Sequence, residues 1–204
     1  MPRPEASPDN PNLHKEFLTT IVPFNLNVCH AFSTHPKILV VGMNGPAVGM
    51  SAAVIAHADF VYCAPHAFLF TPFSSLGLVA EAGASLVFVQ RMGIAKANEA
   101  LIMSKRIPAP ELERCGFVNG IIDVKQGDDE LFREKLLHEV NERLGDHLVG
   151  ESLIKTKSLI RKPYEDAMNL QNMAEAFGAM NQYLSGAPQE QFKKIARGEE
   201  RHKL

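Results

Sequence analysis

Apolar residues recur at helical spacing from Leu13 to about His35, at Phe17, Ile21, Phe24, Val28 and Phe32, and this predicts one amphipathic helix in spite of Pro23. His35-Pro36 marks its end, because the residue before a proline is pushed out of helical geometry. The pattern then changes to KILVVGMNG, residues 37–45, a short continuous apolar run stopped by glycine, which predicts a strand buried on both faces. GPAVGMSAAVIAHAD, residues 45–59, follows with glycines and then small residues, as expected of a turn feeding a tightly packed helix. FVYCAP and AFLF read as strands, EAGASLVFVQRMG as a helix with an acidic first turn and a glycine end, IAKANEALIMSKR and PAPELERCG as helices, and FVNGIIDV as an interrupted strand. Strands and helices alternate, so the predicted class is α/β with a mainly parallel sheet.

After Asp128 the pattern turns wholly helical. DDELFREKLLHEVNERLG places Leu131, Leu136, Leu137, Val140 and Leu144 between charges, and helical stretches follow at roughly 151–185 and 188–197. The expected organisation is a flexible Pro-rich arm over 1–12, an α/β core over 13–127 and a helical region over 128–204.

The 204 residues are 46% hydrophobic and 22% charged, the profile of an ordinary globular domain. A net charge of −2, with basic residues scattered among acidic ones, argues against a nucleic-acid partner. Cys29, Cys63 and Cys115 form no CxxC pair and no spaced set with histidine, so neither a disulfide framework nor a zinc site is expected. No apolar run approaches the roughly 20 residues of a membrane-spanning helix.

Several residues can carry chemistry. Gly42, Gly45 and Gly49 fall as GxxGxxxG rather than GxGxxG, and the P-loop lysine is absent, so the strand-to-helix turn does not read as a nucleotide cradle. Its exposed N–H groups can instead form an oxyanion hole. Ser51 lacks the GxSxG context of a nucleophile and reads as a packing residue. His57 reads as a hydrogen-bonded structural histidine and Asp59 as a capping or turn residue. Glu81 differs, being the only charge between Asp59 and Arg91. Burial in such an apolar run raises a carboxyl's proton affinity toward the range useful to a general base, whereas a place in the first turn of a helix would make it a cap. Both readings stand on sequence logic.

Residues 37–93, with the motifs NGPAVGMSAA and PFSSLGLVAEAG in order, resemble the central segment of the enoyl-CoA hydratase/isomerase, or crotonase, superfamily. The likeness extends through ANEALIMSKRI and GFVN over about residues 13–204, and is to the fungal peroxisomal Δ3,Δ2-enoyl-CoA isomerases in particular. It implies a crotonase-like spiral of strand-strand-helix turns. It also implies an enzyme that shifts a double bond of an acyl-CoA from C3 to C2, with Glu81 as the proton carrier and the Met50 N–H, shaped by Gly49, as an oxyanion donor. No metal or separate cofactor is implied, coenzyme A being part of the substrate, and a homo-oligomer (trimer or hexamer) is. Where hydratases of this superfamily hold two glutamates, this chain has Ala53 and Phe73, which disfavours hydration by the usual route.

The family's N-terminal strands and second oxyanion donor have no counterpart here, so the chain reads as a shortened form, a fragment or a truncated gene model. Two alternatives follow: a weak or silent acyl-CoA-binding subunit, or a relative serving fungal secondary metabolism. The terminal tripeptide His202, Lys203, Leu204 resembles a peroxisomal address read by an import receptor.

Overall fold

The computed structural model describes residues 12–200. The predicted address at 202–204 and all but the last residue of the predicted arm lie outside that range. The expected N-terminal helix is present in three continuous pieces: α1 (Leu13–Glu16), a π-helical turn (Phe17–Ile21) and α2 (Val22–Ser33). Pro23 accounts for the middle piece, since it lacks an N–H for the carbonyl four residues back and its ring crowds that carbonyl. Thr19 Oγ1 donates to Lys15 O at 2.8 Å and Thr20 Oγ1 donates to Glu16 O, which supplies partners to carbonyls in the widened turn. The π-turn adds one residue to the winding, so the buried positions run Leu13, Phe17, then Val22, Asn25 and Cys29. Of the apolar positions that predicted the helix, only Phe17 is buried, and Phe24 is 58% exposed.

Among the described residues six strands and seven further α-helices follow: β1 (Val40–Met43), β2 (Ala47–Val48), α3 (Met50–Ile55), β3 (Phe60–Cys63), β4 (Phe68–Phe70), α4 (Ala84–Leu101), β5 (Ile107–Pro108), α5 (Ala109–Arg114), β6 (Gly120–Ile121), α6 (Asp129–Leu144), α7 (Gly150–Arg161), α8 (Glu165–Leu184) and α9 (Ala187–Ala196). One sheet has the order β1-β3-β6 and is parallel throughout, with Val40 opposite Phe60 and Tyr62 opposite Gly120. The other has the order β2-β4-β5, with β2 and β4 parallel and β4 and β5 antiparallel. The α/β class with a mainly parallel sheet is therefore observed, on very short strands. β1 departs from the expectation of burial on both faces. It lies at the edge of its sheet, and Val40 and Val41 are only half-buried.

The main core joins both sheets to α3, α4 and α5, around Ala52, Ala53, Val61, Leu69, Phe88 and Phe117. Alanines on α3 let it sit close to its neighbours, and the Phe88 and Phe117 rings meet edge to face at 5.5 Å. Helix α4 breaks its winding at Gly93, which agrees with two sequence-predicted helices separated by that glycine. Phe132 anchors α6 against Tyr62, Ile122 and Val124, whereas Leu131 and Leu137 on the same helix are exposed.

The last third is helical as expected, with a 3₁₀ turn at Lys162–Tyr164, where Pro163 ends α7. Helix α8 packs along α2, and Ala176 and Met180 complete a cluster with Leu13, Phe17 and Val22. Helix α7 is tied down by charge. Asp59 accepts from Lys157 Nζ at 2.7 Å, Arg161 Nη2 at 2.7 Å and the Leu39 N–H at 2.8 Å. Arg161 and Arg91 also donate to the carbonyls of His57, Ala56 and Ala58, the open C-terminal end of α3.

Candidate active site

Helix α3 starts at Gly49, whose φ of 59° and ψ of −128° suit glycine almost exclusively. The Gly49 N–H is occupied by Phe70 O at 2.8 Å, which fixes the turn to β4. Met50 is the first residue of α3, so its N–H belongs to the set that has no carbonyl within the helix to meet. Nothing lies within 4 Å of where a side chain on Gly49 would begin, so the space beside this amide is open. An electronegative oxygen is the natural occupant of such a position.

His57, two residues beyond α3, meets the turn that carries Glu81. His57, 1% exposed, donates from Nε2 to Ala82 O at 2.7 Å. Burial lowers its proton affinity and the nearby Arg161 and Arg91 charges act the same way, against the pull of the Ala82 carbonyl, so the ring is neutral. This agrees with the structural reading of His57. Asp59 likewise serves as the anchor for α7 and Leu39, in keeping with a capping role.

Glu81 does not lie in the first turn of a helix, because α4 begins only at Ala84. It precedes two residues in left-handed geometry, Ala82 at φ 55° and Gly83 at φ 78°. A side chain at Gly83 would collide with Met168 Sδ, Cys29 Sγ and His57 Cε1, so the turn needs glycine for space as well as for φ. The Glu81 carboxylate receives Asn25 Nδ2 from α2 at 3.4 Å. Burial raises its proton affinity above the ordinary carboxylate range; the Asn25 bond opposes this and the Glu175 charge adds to it. Of the two readings open in the sequence, capping is thus excluded by the helix boundary. Ala53 and Phe73 are both buried and apolar.

Asn25 and Glu175 were missed by the sequence reading. Asn25 sits on the buried face of α2, but only after the one-residue phase shift of the π-turn, which periodicity alone does not reveal. Glu175 is 6% exposed between Asn172, Ala176 and Ala179, and an acid on the inward face of a helix was the signal available.

A cavity of about 1200 Å³ lies elsewhere, between α7 and the segment before β1, with Asp59, Lys157, Arg161 and Arg91 on its wall and none of Gly49, Met50 or Glu81. Lys157, Arg161 and Arg91 on that wall are committed to Asp59 and to backbone carbonyls, so the cavity borders a structural clamp.

Short, mainly parallel sheets, a glycine-led helix with a free first amide, and a part-buried carboxyl of raised proton affinity fit an α/β fold of the crotonase type. A family model described as Enoyl-CoA hydratase/isomerase matches residues 14–182, and the chain belongs to that family. A relative from Pyricularia oryzae, named Delta(3,5)-Delta(2,4)-dienoyl-CoA isomerase, is 55% identical over 193 residues, covering 93% of this chain and 69% of the relative. The 3,2-trans-enoyl-CoA isomerase of Saccharomyces cerevisiae is 28% identical, covering 95% of this chain and 69% of its own length. Among solved structures, the enoyl-CoA hydratase/isomerase from Pseudoalteromonas atlantica T6c superposes with a TM-score of 0.76 at 28% identity, over 86% of this chain and 68% of that one. The chain thus spans about two thirds of the length of these relatives.

Proposed function

We propose that this chain carries the proton-transfer half of an acyl-CoA isomerase site that moves a double bond from C3 to C2. In this reading the acyl chain lies along α3, with the thioester carbonyl oxygen at the Met50 amide. The Glu81 carboxylate takes a proton from C2, and the electron pair delocalises onto the thioester oxygen on one side and, through the C3–C4 double bond, onto C4 on the other. The Glu81 carboxylic acid then returns the proton to C4, which leaves the double bond between C2 and C3 and regenerates the carboxylate. A positioned N–H at the enolate oxygen contributes about 3 to 4 kcal/mol in comparable sites.

The observation that carries the reading is that Glu81 is part-buried, of raised proton affinity and met by one weak hydrogen-bond donor, whereas the neighbouring carboxyl, Glu175, is fully engaged by the Gly83 N–H and by the Ser85 N–H and hydroxyl. A single free carboxylate can swing between C2 and C4, which are two bonds apart. A transfer from C2 to C6, four bonds apart, calls for a second proton carrier. The name of the 55% identical relative favours that second reading, a 3,5-dienoyl to 2,4-dienoyl shift.

Assay of the purified chain on 3-enoyl-CoA and on 3,5-dienoyl-CoA separates them. We expect turnover of the 3-enoyl substrate, cut at least about 100-fold by Glu81→Gln, the scale of general-base loss. Turnover of the dienoyl substrate alone would establish the second reading, and an unchanged rate in Glu81→Gln would remove Glu81 from the mechanism. A peroxisomal location and a homo-oligomeric state belong to the same proposal, the former on the likeness of residues 202–204 to an import address and tested by a reporter bearing that tail.

A further inference from the structure

The turn that presents Glu81 is held by the C-terminal helical region. The Gly83 N–H donates to Glu175 Oε2 at 2.6 Å, and the Ser85 N–H donates to Oε1 at 2.9 Å. Ser85 Oγ donates to the same Oε1, and Gln171 Nε2 in turn donates to Ser85 Oγ at 2.7 Å, so that hydroxyl is oriented by α8 as well. The Ala84 N–H between them donates to Glu81 O at 3.1 Å. Helix α4 has no side-chain cap of its own, because its N-cap is Gly83. Its first amides are met instead by a carboxylate some 90 residues later in the chain, carried on α8, the helix that also packs on α2.

Such a remote cap does more than satisfy amides. Ala82 and Gly83 are both left-handed, a geometry that alanine enters only at a cost, so the turn relaxes unless something holds it. Glu175 and His57 hold it from its two sides, at the Gly83 N–H and the Ala82 carbonyl. We propose that Glu175 is the positioning residue for Glu81, fixing through the Gly83 and Ser85 amides the direction in which the Glu81 carboxylate is presented to the acyl chain. This rests on the reading of Glu81 as the base. It assigns the C-terminal helices a share in catalysis.

The test compares the full chain with Glu175→Gln, Glu81→Gln and the double variant. Gln keeps the shape of Glu175 but turns an amide NH₂ toward N–H donors that need an acceptor. Hydrogen exchange should show the Gly83 and Ser85 amides released by at least about tenfold, while β3 and α3 keep their protection. With 3-enoyl-CoA, kcat should fall on the order of 100-fold with KM within about twofold, the scale of a small misplacement of a reacting group. In the Glu81→Gln background the second substitution should cost no further rate, because both act through one carboxylate.

A third readout needs no turnover. The carboxyl ¹³C signal of Glu81, faced by Asn25 from α2 and Glu175 from α8, should titrate at lower pH in Glu175→Gln, since a like charge has been removed. Cys29 and His57, the other titratable groups at this turn, are present in both proteins and cancel from the comparison. Should Glu175→Gln fail to fold, Glu175→Asp, which keeps the charge but shortens the reach, replaces it with the amide-release and kcat outcomes unchanged. Retained amide protection, or rate losses that multiply in the double variant, would overturn the proposal. Released amides with an unaltered rate in Glu81→Gln would instead overturn the base assignment.

Discussion

Replacing Asp59 by Asn should destabilise the fold by about 3 kcal/mol at pH 7. The Asp59 side chain is 12% exposed, and its partners Lys157 and Arg161 are 9% and 29% exposed. Removing one partner of a buried ion pair costs about 3 to 5 kcal/mol, because the remaining charge is stranded. The lower end applies here, since Lys157 keeps Lys37 O at 2.6 Å and Arg161 keeps the His57 carbonyl. For a chain of this size the loss corresponds to a fall in Tm of about 6 to 12 °C. Burial alone would raise the Asp59 proton affinity, but Lys157, the Leu39 N–H and Arg161 outweigh it and hold the carboxyl below its ordinary value of 3.8. A depressed acid contributes its stability above its unfolded value and loses it as pH falls through the folded one. The gap in Tm between the two proteins should therefore be full at pH 6 to 7 and close below about pH 4. Calorimetry from pH 3 to 7 measures it. A gap of under about 1 kcal/mol at pH 7, or one that does not change with pH, would refute the reasoning.

Two further substitutions test the site itself. Asn25→Ala removes the donor that stabilises the Glu81 carboxylate, so the acidic limb of the isomerase pH-rate profile should move to higher pH, and a limb that stays in place would detach Asn25 from the base. Gly49→Ala forces a side chain into a glycine backbone conformation at a cost of about 1 to 3 kcal/mol and turns the Met50 amide, so thermal melting and turnover should both decline, and unaltered turnover would exclude this amide as the oxyanion donor.

The alternation of short apolar runs with small-residue and amphipathic stretches made the α/β class legible, because strands such as FVYC and AFLF are too short and too β-rich to read otherwise. Glu81 stood out as the one charge in a long apolar stretch, and the structure keeps it part-buried with a raised proton affinity. The edge position of β1 was not legible, since an apolar run is the same whether one or two neighbours pair with it. Nor was β2, a two-residue strand whose pairing with β4 is decided by tertiary contact. Glu175 escaped for a further reason. Its partners are backbone amides 90 and 92 positions away, and amides leave no mark in a side-chain pattern.

The π-turn at Phe17–Ile21 ties the composition of the site to chain length. Each residue of a regular helix advances the winding by about 100°. A π-turn takes up one extra residue within the same rotation, so deleting one residue from 18–21 would restore an even α-helix with Val22, Asn25 and Cys29 still on the face of Leu13 and Phe17. Straightening the turn with all its residues kept would instead rotate α2 by that angle relative to α1. Asn25 would leave Glu81, Phe24 would approach the carboxylate in its place, and the base would be surrounded by hydrocarbon instead of an amide, so its proton affinity would rise. The single residue stored in the π-turn thus decides whether an amide or a phenyl ring stands beside the carboxylate, although it lies some distance from it.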